Sequence, residues 1–160
     1  LRFVQLVARP SGEVLGEVAG HPGFHSLARH PEAVTTPGLL LFRSNGPIVF
    51  FNAAHFKRSA LTAADAAGAE LRWFVLDLLP VTMVDATGLE TVREVFEALH
   101  ARGVETATAG RKGEWLEGGR KPGFTESDIR PHLFPNLRSA RRAYLAAVAP
   151  PGFPTASGSE

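Results

Sequence analysis

Asp85-Ala86-Thr87-Gly88 places a carboxylate, a hydroxyl and a glycine between the most apolar segment of the chain and a strongly periodic amphipathic one. Three kinds of chemistry fit that order. In an ordinary helix cap, side-chain oxygens accept the amides that a first turn leaves without partners. Thr87-Gly88-Leu89-Glu90 matches the reciprocal form of the cap, with Thr87 accepting from the Glu90 amide and Glu90 reaching back to the Thr87 amide. Asp85, just ahead, would meet the positive end of the helix. The same amides attract a bound phosphate or the phosphate of a nucleotide, and they would stabilise a phosphate added covalently to Thr87. Asp85, Ala86, Thr87 and Gly88 are thus candidates for a phosphate or nucleotide site, and Thr87 is the candidate phosphoacceptor.

Other chemistry-bearing residues are sparser. Asp77 lies inside the apolar run, alternating with Val75 and Leu79, as a buried, hydrogen-bonded strand end would. His21, His25 and His30 share one loop with Glu32, but neither a helix nor a cysteine is there to complete a metal site, so exposed loop histidines are expected. His55 and His100 fall on helices as surface residues. No G-x-S-x-G, Walker A or G-x-G-x-x-G motif occurs, and no nucleophile with a base is visible. Neither catalysis, a cofactor nor a bound metal is expected.

The 160 residues suit one domain with a real core, and 44% hydrophobic and 21% charged residues are ordinary for a globular protein. The absence of cysteine excludes disulfides, thiol nucleophiles and Cys-based zinc sites. A net charge of +1 gives no global attraction to nucleic acid. Arg138, Arg141 and Arg142 would form a positive stripe on the last helix, either solvated or facing a membrane or acidic partner; without aromatic interleaving it is not a nucleic-acid signature. No apolar run is long enough to cross a bilayer. "LRFVQLVARP" at the start reads equally as the end of a longer helix or as a first strand.

The positioning elements follow from periodicity. Val14–Val18 is a strand candidate, and 20–38 is turn-rich with room for one short strand. "GLLLFR" and "IVFFN", joined by an Asn-Gly pair, predict a hairpin. Asn52 would cap a helix that ends at Gly68. "LRWFVLDLLPV", 71–81, reads as a strand covered on both faces. The next helix carries Leu89, Val92, Val95, Phe96 and Leu99 on one stripe, of which Val92, Val95, Phe96 and Leu99 are expected to form one contiguous core with Val75, Leu76 and Leu78. "VETATAG" is a weaker strand, 111–131 a glycine-rich connection with room for a short helix, and a last helix starts near Asn136 with Leu137, Ala140, Tyr144 and Val148 on one face. The tail after Pro150 has a disordered composition. This alternation predicts an α/β domain with a mixed sheet.

"VDATGLETVREVFEALHARGV" between two strands resembles the D-[SA]-[ST]-G-L core of STAS domains, which occur in anti-sigma-factor antagonists and in the cytoplasmic tails of SulP anion transporters. "RHPEAVTTPGLLLFRSNGPIVFFNAAHF" (29–56) is similar to the bacterial SulP segment, "RPSGEVLGEV" (9–18) to the link leaving the last membrane helix, and "HLFPNLRSA" to the family's closing F-P-x-[LV]-x-x-A. The resemblance implies the STAS (anti-sigma-factor antagonist-like) fold, a central mixed β-sheet flanked by α-helices, with the D-A-T-G turn exposed at one end. It implies residues 1–10 as linker, 11–148 as the STAS domain and 149–160 as tail. It further implies a non-catalytic module at the cytoplasmic face of the bacterial inner membrane, part of an integral membrane protein and active in regulation, folding or partner binding. Its implied partners are the transporter's own membrane domain, a regulatory protein, a nucleotide, and a dimer mate through the parent transporter. The alternative is a soluble anti-sigma-factor antagonist regulated by phosphorylation at Thr87. Soluble antagonists carry Ser or Thr directly after the Asp; Ala86 departs from that and leaves Thr87 as the one acceptor in the turn.

Overall fold

The computed structural model describes residues 12–110 and 131–150. The linker 1–10, most of the glycine-rich connection and the tail beyond Pro150 therefore lie outside the described residues. The chain runs β1 (Gly12–Val18), β2 (His21–Ser26), β3 (Leu39–Ser44), α1 (Ala53–Ala67), β4 (Trp73–Asp77), α2 (Ala86–His100), β5 (Glu105–Ala109), β6 (His132–Phe134) and α3 (Leu137–Val148). The strands form one sheet in the order β2-β1-β3-β4-β5-β6. β1 is antiparallel to both β2 and β3, whereas β3, β4, β5 and β6 are parallel, so the sheet is mixed as expected.

Alternation along β3 and β4 divides the core in two. Leu40, Phe42, Phe74 and Leu76 face α1 and α2, meeting Phe56, Ala60, Val92, Val95, Phe96 and Leu99. Leu39, Leu41 and Val75 face the other way, against Leu137, Ala140 and Tyr144 of α3. The single contiguous core expected for Val75 with the α2 stripe is therefore corrected: Leu76, Leu78, Val92, Val95, Phe96 and Leu99 share a cluster, and Val75 belongs to the opposite one. Successive side chains on a strand point to opposite faces, so Val75 and Leu76 cannot share one. Leu89, placed on the same stripe, is only half-buried.

The expected hairpin does not form. β3 already has β1 on one edge and β4 on the other, which leaves no ladder position for "IVFFN". Instead Ile48 and Val49 are buried in the turn leading to α1, and Ile48 makes one isolated parallel bridge to Val84. Asn52 does occupy the cap position of α1, but its side chain bonds backwards and makes no cap bond to the helix. Its Oδ1 accepts the Val49 N–H at 2.9 Å, and its Nδ2 donates to the Pro47 carbonyl at 2.8 Å. Gly68, at a φ of 78°, ends α1 where a left-handed residue is needed.

β4 is shorter than the apolar run. The ladder stops at Asp77, whose Oδ1 accepts the Leu79 N–H at 3.0 Å, and the Val81 N–H then turns back onto the Leu78 carbonyl. β5 is more buried than its sequence suggests: Thr106, Ala107, Thr108 and Ala109 fill a position between two strands and beneath helices. α3 begins as expected at Asn136, whose side chain accepts the Ser139 N–H in a reciprocal capping box. No helix among the described residues is long and apolar enough to cross a membrane.

Candidate functional site

Two loops meet at the C-terminal end of the parallel strands: 45–52, between β3 and α1, and 78–85, between β4 and α2. Their backbones are tied. The Ile48 N–H donates to the Met83 carbonyl at 3.0 Å, and the Asp85 N–H donates to the Ile48 carbonyl at 3.3 Å. Asp85 completes the joint, with Oδ1 accepting the Gly88 N–H at 2.7 Å and Oδ2 accepting the Phe50 N–H at 2.9 Å. One carboxylate thus caps its own helix and pins the neighbouring loop.

This corrects the capping box placed on Thr87. The helix begins at Ala86, with Asp85 in an extended backbone conformation as its cap. Thr87 is the second helical residue, exposed, and its carbonyl accepts the Thr91 hydroxyl at 2.8 Å. Glu90 does not reach back; it accepts from Arg93 at 2.6 Å. Gly88 has a separate reason to be glycine. A Cβ there would sit 1.9 Å from the Ile48 carbonyl oxygen, so the first turn of α2 rides directly on the backbone of the other loop.

Asp85, Ala86, Thr87 and Gly88 remain together at this end, Ala86 and Thr87 exposed and Gly88 buried. The Asp85 carboxylate already takes the Gly88 amide that a bound phosphate would seek, while the Thr87 hydroxyl stays open to solvent. Sequence reasoning missed two participants, the Phe50 amide and the Ile48 carbonyl. Both are main-chain groups of the segment expected to form a hairpin strand, so no side-chain type marks them.

Asp77 is fully buried at the end of β4, beside Arg43 in register on β3. Its Oδ2 accepts from Arg43 Nε at 2.8 Å, so the pair is a fastening of adjacent strands rather than an exposed carboxylate. The single loop expected for His21, His25 and His30 is corrected: His21 and His25 lie on β2 and His30 in the turn after it, with His21 exposed and the other two half-buried. Ring centroids are 6.3 Å apart for His21 and His25 and 5.2 Å for His25 and His30. Among the described residues no group of three or more His, Asp or Glu is arranged to hold a metal ion. Glu32 is held below the usual carboxylate range, first by its own backbone amide and then by a hydrogen bond with His30. His55 and His100 are exposed as expected. The arginine stripe on α3 is interrupted, because Arg141 pairs with Glu17 at 3.2 Å and donates to Thr36 at 3.1 Å.

A family model described as the STAS domain matches residues 30–140. A probable sulfate transporter of Mycobacterium tuberculosis is 33% identical over 144 residues, which is 90% of this chain and 26% of that protein. The murine Slc26a9 anion transporter, in its inward-facing state, superposes with a TM-score of 0.74 at 17% identity, covering 91% of this chain and 24% of that one. The SulP transporter STAS domain from Vibrio cholerae superposes with a TM-score of 0.55 at 23% identity, over 76% of this chain and 92% of that one. The chain spans about a quarter of the length of the curated relative, 26%. With the mixed sheet, the flanking helices and the D-A-T-G turn at one end, these matches show that the chain belongs to the STAS domain family, in the branch of SulP-type sulfate transporters.

Proposed function

We propose that this chain is a non-catalytic, cytoplasmic STAS module of a SulP-type anion transporter, regulating or assembling its membrane domain at the bacterial inner membrane. The observation that carries the reading is the 33% identity to a probable sulfate transporter across 90% of this chain and only a quarter (26%) of the relative. That proportion fits one module of a larger membrane protein. Residues 1–10 would be its linker, 11–148 the domain and 149–160 a tail. In this reading the Asp85–Gly88 end is the recognition surface, for the membrane domain, a regulatory protein or a nucleotide phosphate. Dimerisation would come through the parent transporter. The test is sulfate uptake by the parent transporter in cells, with and without this domain, at matched membrane abundance. Uptake and abundance both unaffected by deletion would refute the assignment.

A second reading is favoured by the exposure of Thr87 at the positive end of α2. A phosphate there would be tolerated by the fold and read by a partner, as in a soluble anti-sigma-factor antagonist. Phosphorylation of the purified chain by a kinase-type anti-sigma factor, abolished in Thr87→Val, would support it; modification at another residue would not.

A further inference from the structure

The end of the molecule that carries Asp85 also carries four large exposed apolar side chains. Phe50 and Phe51 are 71% and 73% exposed, Met83 is 55% and Leu79 54%. The two phenyl rings pack edge-to-face on each other, 5.5 Å between centroids, and not into the core. Their exposure does not come from a loose loop. Flanking backbone is held by the Ile48–Met83, Phe50–Asp85, Val49–Asn52 and Asn52–Pro47 bonds described above. A rigid turn that keeps two phenylalanines in water forgoes the free energy of burying them, which marks an interaction site.

The surrounding charge selects the partner. Between Arg43 and Ala64 the chain has Arg43, Lys57, Arg58 and His55 but no carboxylate, and 78–84 carries no charge at all. Arg43 is committed to the buried Asp77 and Lys57 to Glu94 at 2.7 Å, so the positive charge left open to a partner is that of Arg58. Asp85, the nearest acid in sequence to Met83, turns its carboxylate inward onto two amides. Arg58 is exposed on the second turn of α1 and makes no hydrogen bond or ion pair among the described residues. An apolar tip on uncharged loop backbone, with an unpaired arginine on the adjoining helix, suits the headgroup region of an anionic bilayer: phenylalanine and methionine sit at the acyl boundary, and the guanidinium meets a lipid phosphate.

We propose that the Phe50–Phe51–Met83–Leu79 tip is a lipid-contacting surface that seats this domain on an anionic membrane face. This holds independently of whether Thr87 is a phosphoacceptor or whether the domain controls transport.

The absence of native cysteine allows the whole 160-residue chain to carry one environment-sensitive dye, at Thr82→Cys beside Met83 or at Ala146→Cys on α3. Vesicles of phosphatidylcholine and phosphatidylglycerol in equal parts should shift the Thr82→Cys emission to the blue and leave Ala146→Cys unchanged. Vesicles of phosphatidylcholine alone should do much less. Phe50→Ser with Phe51→Ser should weaken co-sedimentation with the mixed vesicles by about tenfold or more, with an unchanged melting curve. Should that double variant fail to fold, Arg58→Glu on the exposed helix face provides the second reading, and it too should weaken binding. Three results overturn the proposal. One is no blue shift with the anionic vesicles. Another is a shift that appears with rising protein concentration in the absence of lipid, which assigns the tip to a second copy of the chain. The third is a shift given by the detergent-solubilised membrane part of the transporter but not by vesicles, which assigns it to a protein surface.

Discussion

Asp85 and Phe50 lie 35 positions apart, yet one carboxylate oxygen of Asp85 accepts the Phe50 backbone N–H at 2.9 Å while the other caps α2 through Gly88 at 2.7 Å. The side chain that starts the helix also fixes the loop entering α1. Cutting this bridge disturbs two elements at once, and that sets the first expected effect.

Asp85→Ala removes a helix cap, worth about 0.5–2 kcal/mol, and strands the Phe50 amide as well. Asp85→Asn keeps one oxygen acceptor and should lose less, about 0.3–1 kcal/mol through the missing charge at the helix end. Chemical denaturation should rank the parent above Asp85→Asn and Asp85→Ala lowest. Equal midpoints for the two variants would show that the second hydrogen bond contributes nothing.

Gly88→Ala tests the contact between α2 and the Ile48 carbonyl. Alanine is ordinarily the better helix former, so at a free helical site the change would stabilise. Here the added methyl meets a backbone oxygen at 1.9 Å, and neither main chain can retreat without breaking the bridge at Asp85. The expected cost is about 1–3 kcal/mol, the usual range for overpacking. A raised melting temperature would show that the two loops separate more easily than their hydrogen bonds indicate.

Thr87 is exposed, inside the helix, and not its cap. Thr87→Ala should therefore stay within about 0.5 kcal/mol of the parent rather than show the loss typical of a cap. Thr87→Asp places a negative charge at the positive helix end and should be neutral or slightly stabilising, by about 0.3–1 kcal/mol. Sulfate uptake by the full-length transporter carrying each variant separates the roles. A change with Thr87→Asp at unchanged melting supports a phosphate switch, and no change with either variant argues against one.

The divided core gives a paired test. Val95, on α2, belongs to the cluster between the sheet and α1 and α2, Val75 to the one against α3, and both are fully buried. Each valine-to-alanine change should cost about 1–3 kcal/mol as a large-to-small substitution. Because the sheet separates them, the double variant should equal the sum within about 0.5 kcal/mol. Strong coupling would mean that the two valines share one cluster after all.

Much of this protein is legible from local pattern. The stripe Val92, Val95, Phe96 and Leu99 announced α2, Asn136 announced α3, and the apolar run from Leu71 announced the central strand, because burial imposes a period that depends on each element alone. Asp77 inside that run was readable as a buried, bonded strand end, since an unpartnered carboxylate would not persist there. The D-A-T-G core, together with the segment 29–56, carried the family resemblance.

Other features depended on what lies beside each element in space. Asn-Gly between two apolar runs signals a hairpin only when a strand edge is free, and β3 has none, so Ile48 and Val49 turned inward and Phe50 and Phe51 outward. Asp85 and Thr87 both offered an oxygen to the helix end; Asp85 holds it because the Phe50 amide and the Ile48 carbonyl, far away in sequence, fix its backbone and side chain. Val75 looked like part of the α2 core because periodicity shows that a residue is buried but not against what. The sequence by itself determined that the central strand, α2 and α3 form and which face of each helix is apolar. The tertiary structure decided which partners those residues meet, because a strand edge, a stranded amide and a covering helix are supplied by segments that no local window contains.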